Sequence, residues 1–181
     1  VMVPARDGIG LATDIYRPAR NGDFVREPLP VILERTPYNK RAQDRVERNC
    51  RYFARRGYIF AIQDCRGCFR SEGEMGFFWQ EGPDGYDTVE WLARQPWCNG
   101  RIGTTGTSYA GWTQNALAVQ NPPHLSCMWV NDGASNGYTS TLRQGGTLEL
   151  RFLTWLYSGT FTIPAETPTA MSRAGLPRAI P

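Results

Sequence analysis

The chain has 181 residues, 41% hydrophobic and 20% charged, enough apolar material for one domain with a sizeable core. A net charge of +3 is too mild to imply a nucleic-acid partner, and the absence of any run of about 18 apolar residues excludes a membrane-spanning helix. The five cysteines are scattered; Cys65-Arg66-Gly67-Cys68 lacks the second pair or nearby histidine of a zinc site. All five are read as reduced structural thiols, which favours a cytoplasmic location. Val1-Met2-Val3-Pro4, followed by Arg6 and Asp7, is not a signal peptide, although a first residue other than Met leaves room for one upstream.

Val1 to Val3 and Leu11 to Tyr16 flank Asp7-Gly8, a turn pair able to take positive φ, and predict an N-terminal hairpin. Arg17-Pro18 ends its second strand and Asn21-Gly22 marks a polar loop. Val31-Ile32-Leu33, bounded by Pro30 and Pro37, predicts a short buried strand followed by the loop Thr36-Pro37-Tyr38-Asn39-Lys40. Gln43 to Arg56 predicts an amphipathic helix closed by Gly57. Val46, Cys50, Phe53 and Ala54 form its inward stripe, and Asp44–Arg48 and Glu47–Arg51 are i,i+4 pairs. Its arginines, at 45, 48, 51, 55 and 56, are interleaved with acids and read as a solvated face rather than an anion site.

Tyr58 to Ile62 predicts the next buried strand, running into Gln63-Asp64-Cys65-Arg66-Gly67. Asp84 to Gln95 predicts a helix with Tyr86, Val89, Leu92 and Ala93 inward and Glu90–Arg94 paired outward, stopped by Pro96. Arg101 to Thr105, entered through Asn99-Gly100, predicts a strand. Tyr109 to Gln120 predicts a helix with Trp112, Ala116, Leu117 and Val119 at helical spacing, and Leu125 to Val130 a further apolar strand. Strands alternating with helices imply a mostly parallel α/β sheet covered on both faces. After Asp132 the chain turns polar and glycine-rich to Gly146. Leu148 to Tyr157 predicts an apolar, aromatic helix, and Thr160 to Pro181, with four prolines, reads as loop.

The stretch Gly106-Thr107-Ser108-Tyr109-Ala110-Gly111 places a serine at a sharp strand-to-helix turn between glycines. Such a turn holds a hydroxyl above the sheet edge and aims the next N–H, that of Tyr109, at a developing oxyanion. The usual pattern is G-x-S-x-G, whereas here the fifth position is Ala110 and glycine comes one place later. On the residues alone, a glycine-rich turn without chemistry accounts for the same spacing. The one histidine of the chain, His124, follows Ser108 with no Asp or Glu between them. It therefore does not fit the order serine, acid, histidine, and it reads as a surface or capping residue.

Several stretches in order resemble one family, the cocaine esterase and NonD type of α/β-hydrolases, related to X-Pro dipeptidyl-peptidases. They are Met2 to Gly8, Ile32 to Lys40, Gln63 to Gly67 with Ser71-Glu72-Gly73, Asp84 to Leu92, Gln95 to Gly100, the Ser108 turn, and Arg143 to Leu150. The family carries Tyr after the serine and glycine three places on, as here; Asn39 departs from it, being commonly Asp. The resemblance implies an α/β-hydrolase fold, incomplete, with residues 1–135 the N-terminal part of the catalytic domain and 136–181 the start of a helical cap. It implies Ser108 as nucleophile, and Tyr38 with the Tyr109 N–H as the oxyanion site. Tyr138, Trp155 and Tyr157 fall where the cap begins, as substrate contacts or as cap core. The reading is a serine hydrolase acting on a small ester or amide, with no cofactor, no nucleic acid and no membrane. The triad Asp and His would lie beyond these residues. An X-Pro dipeptidyl-peptidase or acylase is the alternative enzyme, and a non-catalytic hydrolase-like binding domain the alternative of another class.

Overall fold

The computed structural model describes residues 1–139 and 141–157. The side chain of Tyr157 and the stretch from Thr160 to Pro181 lie outside the described residues. Strands β1 (Met2–Pro4) and β2 (Gly10–Tyr16) form the expected hairpin, with the Ile9 N–H donating to Asp7 Oδ1 at 3.3 Å and Gly8 at φ 85 in its turn. Two-residue strands β3 (Ala19–Arg20) and β4 (Asp23–Phe24) pair across Asn21-Gly22. Strand β5 (Leu29–Thr36) is longer than its apolar triplet, because Glu34, Arg35 and Thr36 continue it as buried polar residues.

The segment expected as one regular helix is divided into α1 (Gln43–Arg45), a wider π-helical stretch (Val46–Arg51) and α2 (Tyr52–Ala54). Cys50 is its only fully buried residue. Asp44–Arg48 and Glu47–Arg51 do pair, at 2.6 and 2.5 Å. Arg45 departs from the solvated face: it turns inward to the buried Glu34 of β5, which Asn49 also reaches at 2.8 Å. A buried carboxylate that found no donor would cost several kcal/mol.

Strand β6 (Ile59–Asp64) is buried throughout. Helix α3 (Glu81–Ala93) starts three residues before the expected Asp84, and Pro83 sits in its first turn, where no N–H acceptor is needed. Strand β7 (Cys98–Thr107) absorbs the expected Asn99-Gly100 turn as an irregularity, with Gly100 at φ 80. Helix α4 (Tyr109–Val119) follows. Val119, expected in its apolar stripe, is 82% exposed, and the buried face is instead Tyr109, Ala110, Gly111, Thr113, Gln114 and Leu117. Strand β8 (Leu125–Asn131) comes next. Then β9 (Arg143–Gln144) and β10 (Thr147–Leu148) pair across Gly145-Gly146, so Leu148 is in a strand rather than opening α5 (Leu150–Tyr157).

The six main strands lie in the order β1-β2-β6-β5-β7-β8. β2 runs antiparallel to β1 and β6, whereas β6, β5, β7 and β8 are mutually parallel, the arrangement of an α/β-hydrolase core. Alternate residues of β5 and β6 separate two cores. Val31, Leu33, Ile59 and Ala61 pack with Val89, Leu92 and Leu117 of α3 and α4, while Phe60 and Ile62 meet Cys50, with Phe53 against them. Helices thus cover both faces. β8 is less covered than its apolar sequence suggests: Met128 is 37% and Trp129 64% exposed. All five cysteines are free. Cys50, Cys65, Cys68 and Cys98 are buried, as structural thiols, and Cys127 on β8 is exposed. Burial pushes Cys50 and Cys68 each up to about 12, so neither is poised for thiolate chemistry.

Helix α4 and the loop after β8 meet backbone to backbone at Gly111 and Gly133. A Cβ on Gly111 would lie 2.6 Å from Gly133 Cα and 3.0 Å from its nitrogen. Gly111→Ala should therefore destabilise the chain by about 1–3 kcal/mol. Urea unfolding is the measurement, and an unchanged midpoint would show that this contact yields freely.

Candidate active site

Ser108 closes β7 and caps α4 with φ 61 and ψ −119, a strained conformation for a residue with a side chain. Its backbone is held on three sides: its N–H donates to the Asn131 carbonyl at 3.0 Å, and its carbonyl accepts from Gly111 at 2.8 Å and Trp112 at 3.0 Å. The glycine spacing has a steric cause. A Cβ on Gly106 would lie 2.6 Å from the Ala110 Cβ, and Gly111 faces Gly133. The fifth position can be alanine because its methyl rests on Gly106, and the glycine is needed one place later, where α4 meets the next strand's loop. The result is an exposed serine between two buried layers, with Tyr109 3% and Ala110 1% exposed.

Tyr38 arrives from the loop after β5. Its N–H donates to Thr36 Oγ1 at 3.1 Å, and Asn39 takes φ 68, a conformation asparagine tolerates better than most residues. Lys40 anchors the same loop: its N–H donates to Asp64 Oδ1 at 2.8 Å, and its buried ammonium lies 3.3 Å from Asp64 Oδ2. Half-buried, the Tyr38 hydroxyl lies near enough to the Ser108 side chain and to Trp155, whose indole N–H can only donate, for both to pull its pKa down. Burial pushes the Tyr38 phenol up more than these contacts pull it down, so it keeps its proton at neutral pH.

Ser108, Tyr38, Tyr109 and Trp155 are thus brought together. Tyr138 is not: it is 65% exposed, with its hydroxyl beside Gly146 in the β9–β10 turn. A cavity of about 350 Å³ opens beside Ser108, walled by Phe78, Trp112, Phe152 and Trp155 and edged by Asp132 and Glu149. Phe78 stands 4.8 Å from Trp112, and Phe152 5.1 Å from Trp155, between ring centroids. Sequence reasoning missed Phe78 and Trp112 as wall residues. Phe78 lies in an irregular loop that carries no periodic signal, and Trp112 reads by spacing as one more member of a helix stripe.

His124 does not approach Ser108. It precedes β8, whereas Ser108 follows β7, and the two strands run parallel from the Ile102–Leu125 pair to the Thr107–Asn131 pair. At roughly 3.3 Å per residue, the two side chains lie about 20 Å apart, at opposite ends of the sheet. His124 Nδ1 is 2.9 Å from Glu90 Oε2, which makes His124, not Arg94, the partner of Glu90. Among the described residues, no helix is long and apolar enough to cross a membrane.

A family profile described as X-Pro dipeptidyl-peptidase (S15 family) matches residues 7–174. Cocaine esterase of Rhodococcus sp. is 45% identical over 157 residues, which are 84% of this chain and 26% of that protein. The solved CocE/NonD family hydrolase from Staphylococcus aureus superposes with a TM-score of 0.80 at 26% identity, over 96% of this chain and 34% of its own. A solved alpha-amino acid ester hydrolase gives 0.63 at 29% identity, over 77% of this chain and 26% of its own. The chain therefore spans about a quarter to a third of the length of these relatives.

The strain at Ser108 is testable without any substrate. Glycine accepts φ 61 without a steric penalty of about 1–3 kcal/mol, but it loses more backbone entropy on folding, about 0.5–1 kcal/mol. Ser108→Gly should stabilise the chain by about 1 kcal/mol and Ser108→Ala should not, compared by urea unfolding. Equal midpoints for the two variants would mean an unstrained turn.

Proposed function

The chain belongs to the X-Pro dipeptidyl-peptidase (S15) family, and from that premise we propose that it carries the nucleophile and oxyanion site of a serine hydrolase. Ser108 Oγ attacks the carbonyl carbon of an ester or amide. The tetrahedral oxygen is held by the Tyr38 hydroxyl and the Tyr109 N–H. Its collapse expels the leaving group and leaves an acyl ester on Ser108, which water then hydrolyses. One observation carries this reading: the strained Ser108 turn, with the Tyr38 hydroxyl in contact with the serine side chain.

Other features support it. The Tyr109 N–H is the first of α4, at the end of a helix where backbone donors face outward and the dipole favours negative charge. A Tyr38 phenol with a raised pKa stays a donor, and a charged acceptor strengthens such a bond. The aromatic wall suits an apolar acyl or leaving group, and the identity to cocaine esterase favours ester over peptide. Residues 1–135 are taken as part of the catalytic domain and 136–181 as the start of a cap. In that division Phe152 and Trp155 of α5 line the pocket from the cap side. The general base is placed outside these residues, because His124 is tied to Glu90 at the far end of the sheet.

Three outcomes are expected. In the full-length gene product, Ser108→Ala should abolish p-nitrophenyl ester hydrolysis and fluorophosphonate labelling. Tyr38→Phe should lower kcat roughly 10²–10³-fold, the usual loss of one oxyanion donor; an unchanged kcat would reassign Tyr38 to packing. Residues 1–181 expressed alone should show no p-nitrophenyl acetate turnover above a Ser108→Ala control. Without a base the serine keeps its proton and only weak residual catalysis is left. Stoichiometric labelling at Ser108 with multiple turnover would place a base within these residues.

A further inference from the structure

We infer that Glu81 is a positioning residue for the oxyanion site, gripping the phenol of Tyr109 so that the backbone N–H of the same residue keeps its aim; this rests on Ser108 being the nucleophile. Glu81 opens α3 and is 5% exposed, yet it lies far from the solvated positions that a helix-starting glutamate usually takes. Its Oε1 accepts from the Tyr109 hydroxyl at 3.0 Å. Its Oε2 is 2.9 Å from Arg35 Nη1, which also donates to the Glu81 carbonyl at 2.7 Å. Arg35 is itself held, its Nε donating to Gln63 Oε1 at 2.7 Å. The carboxylate therefore cannot shift without moving a guanidinium built into β5.

Tyr109 is consequently fastened at both ends. Its main chain follows the strained Ser108 turn, and its ring, stacked on Phe78 at 5.0 Å between centroids, ends on Glu81. The Tyr109 oxygen also accepts the Phe78 N–H at 3.2 Å, which ties one wall of the cavity to the same carboxylate. Tyr38 stands edge-on to the Tyr109 ring at 6.5 Å, so the two oxyanion donors share one aromatic contact. Catalysis by oriented donors is sensitive to sub-ångström error, since about 1 Å of misplacement can lower a rate by on the order of 10²-fold. Releasing the phenol frees the ring to tilt and the N–H with it. Glu81 touches no substrate; it acts through Tyr109.

The test uses the full-length gene product, with active sites counted by fluorophosphonate titration and turnover of p-nitrophenyl acetate read per titrated site. Tyr109→Phe, which keeps the ring and removes only the hydroxyl, should lower kcat roughly tenfold with KM within about twofold. Glu81→Ala should lose roughly 10–100-fold in kcat, and Glu81→Gln, which still offers an oxygen to the phenol, should fall between Glu81→Ala and the parent. A purely structural role would lower the melting temperature and the number of titratable sites but leave kcat per site unchanged, and that result overturns the inference. So does a rise in KM alone. If Glu81→Ala does not fold, Tyr109→Phe decides. If the parent is not titrated at Ser108, the nucleophile reading has failed and the positioning role falls with it; a titratable Ser108 with unmoved kcat removes the positioning role alone.

Discussion

Arg35 is the group on which the rest of the architecture depends. Its guanidinium is 2% exposed at the C-terminal end of the central strand β5. Burial by itself disfavours the charge, but Glu81, Cys65 and Asp84 outweigh that, and the pKa is raised. Taking such ions out of water costs several kcal/mol each unless partners and hydrogen bonds close around them. Here the partners come from several elements at once, with only Arg35 Nη2 and Glu81 Oε2 left to ion pairing without a hydrogen bond. Gln63 comes from β6, Glu81 and Asp84 from α3, and Asp84 passes the charge on to Arg66 at 2.6 Å. Arg66 then reaches Asp7 in the N-terminal hairpin turn at 2.7 Å. A seam of alternating charge thereby joins hairpin, sheet and helix beneath the Ser108 turn. Deleting Glu81 or Asp84 would leave the buried Arg35 guanidinium short of counter-charge in a dry interior.

The Ser108 turn is the second constraint, and the seam gives it a floor. A non-glycine residue in this conformation costs on the order of 1–3 kcal/mol, which has to be offset by its surroundings. The three backbone hydrogen bonds of Ser108 and the glycine contacts with Ala110 and Gly133 hold it there. The bend that lifts the hydroxyl clear of the sheet also turns the next N–H outward at the start of a helix. Trp155 and Phe152 of α5 close over this point from a part of the chain more than forty residues on, and they supply most of one aromatic wall. Their contribution is apolar area and a single indole donor to Tyr38, not a titratable group.

Much of this was legible in the residues. The hairpin, the order of strands and helices and the serine turn all follow from short-range rules: apolar period, turn chemistry and the steric need for glycine where two backbones touch. Tyr38 was singled out by resemblance, and the structure brings it to the serine. Other features were misread for identifiable reasons. The helix after Lys40 carries a regular apolar stripe, yet it widens into π turns where Arg45 and Asn49 reach down to Glu34. Val119 continues the α4 stripe by spacing but emerges past the edge of what α4 covers. Glu90 has Arg94 one turn away and pairs instead with His124.

By itself the sequence determined the parallel α/β scaffold and the position of Ser108 at the β7–α4 junction, since both depend on chain order and local sterics. Only the tertiary structure decided which charges meet. Glu81 with Tyr109 and Arg35, Arg66 between Asp7 and Asp84, and Trp155 on Tyr38 join residues that are distant in the chain. Periodicity specifies which face of an element turns inward, not what it will find there. That is set by how helix, sheet and loop stack, because a buried charge must take whichever partner the packing brings within reach.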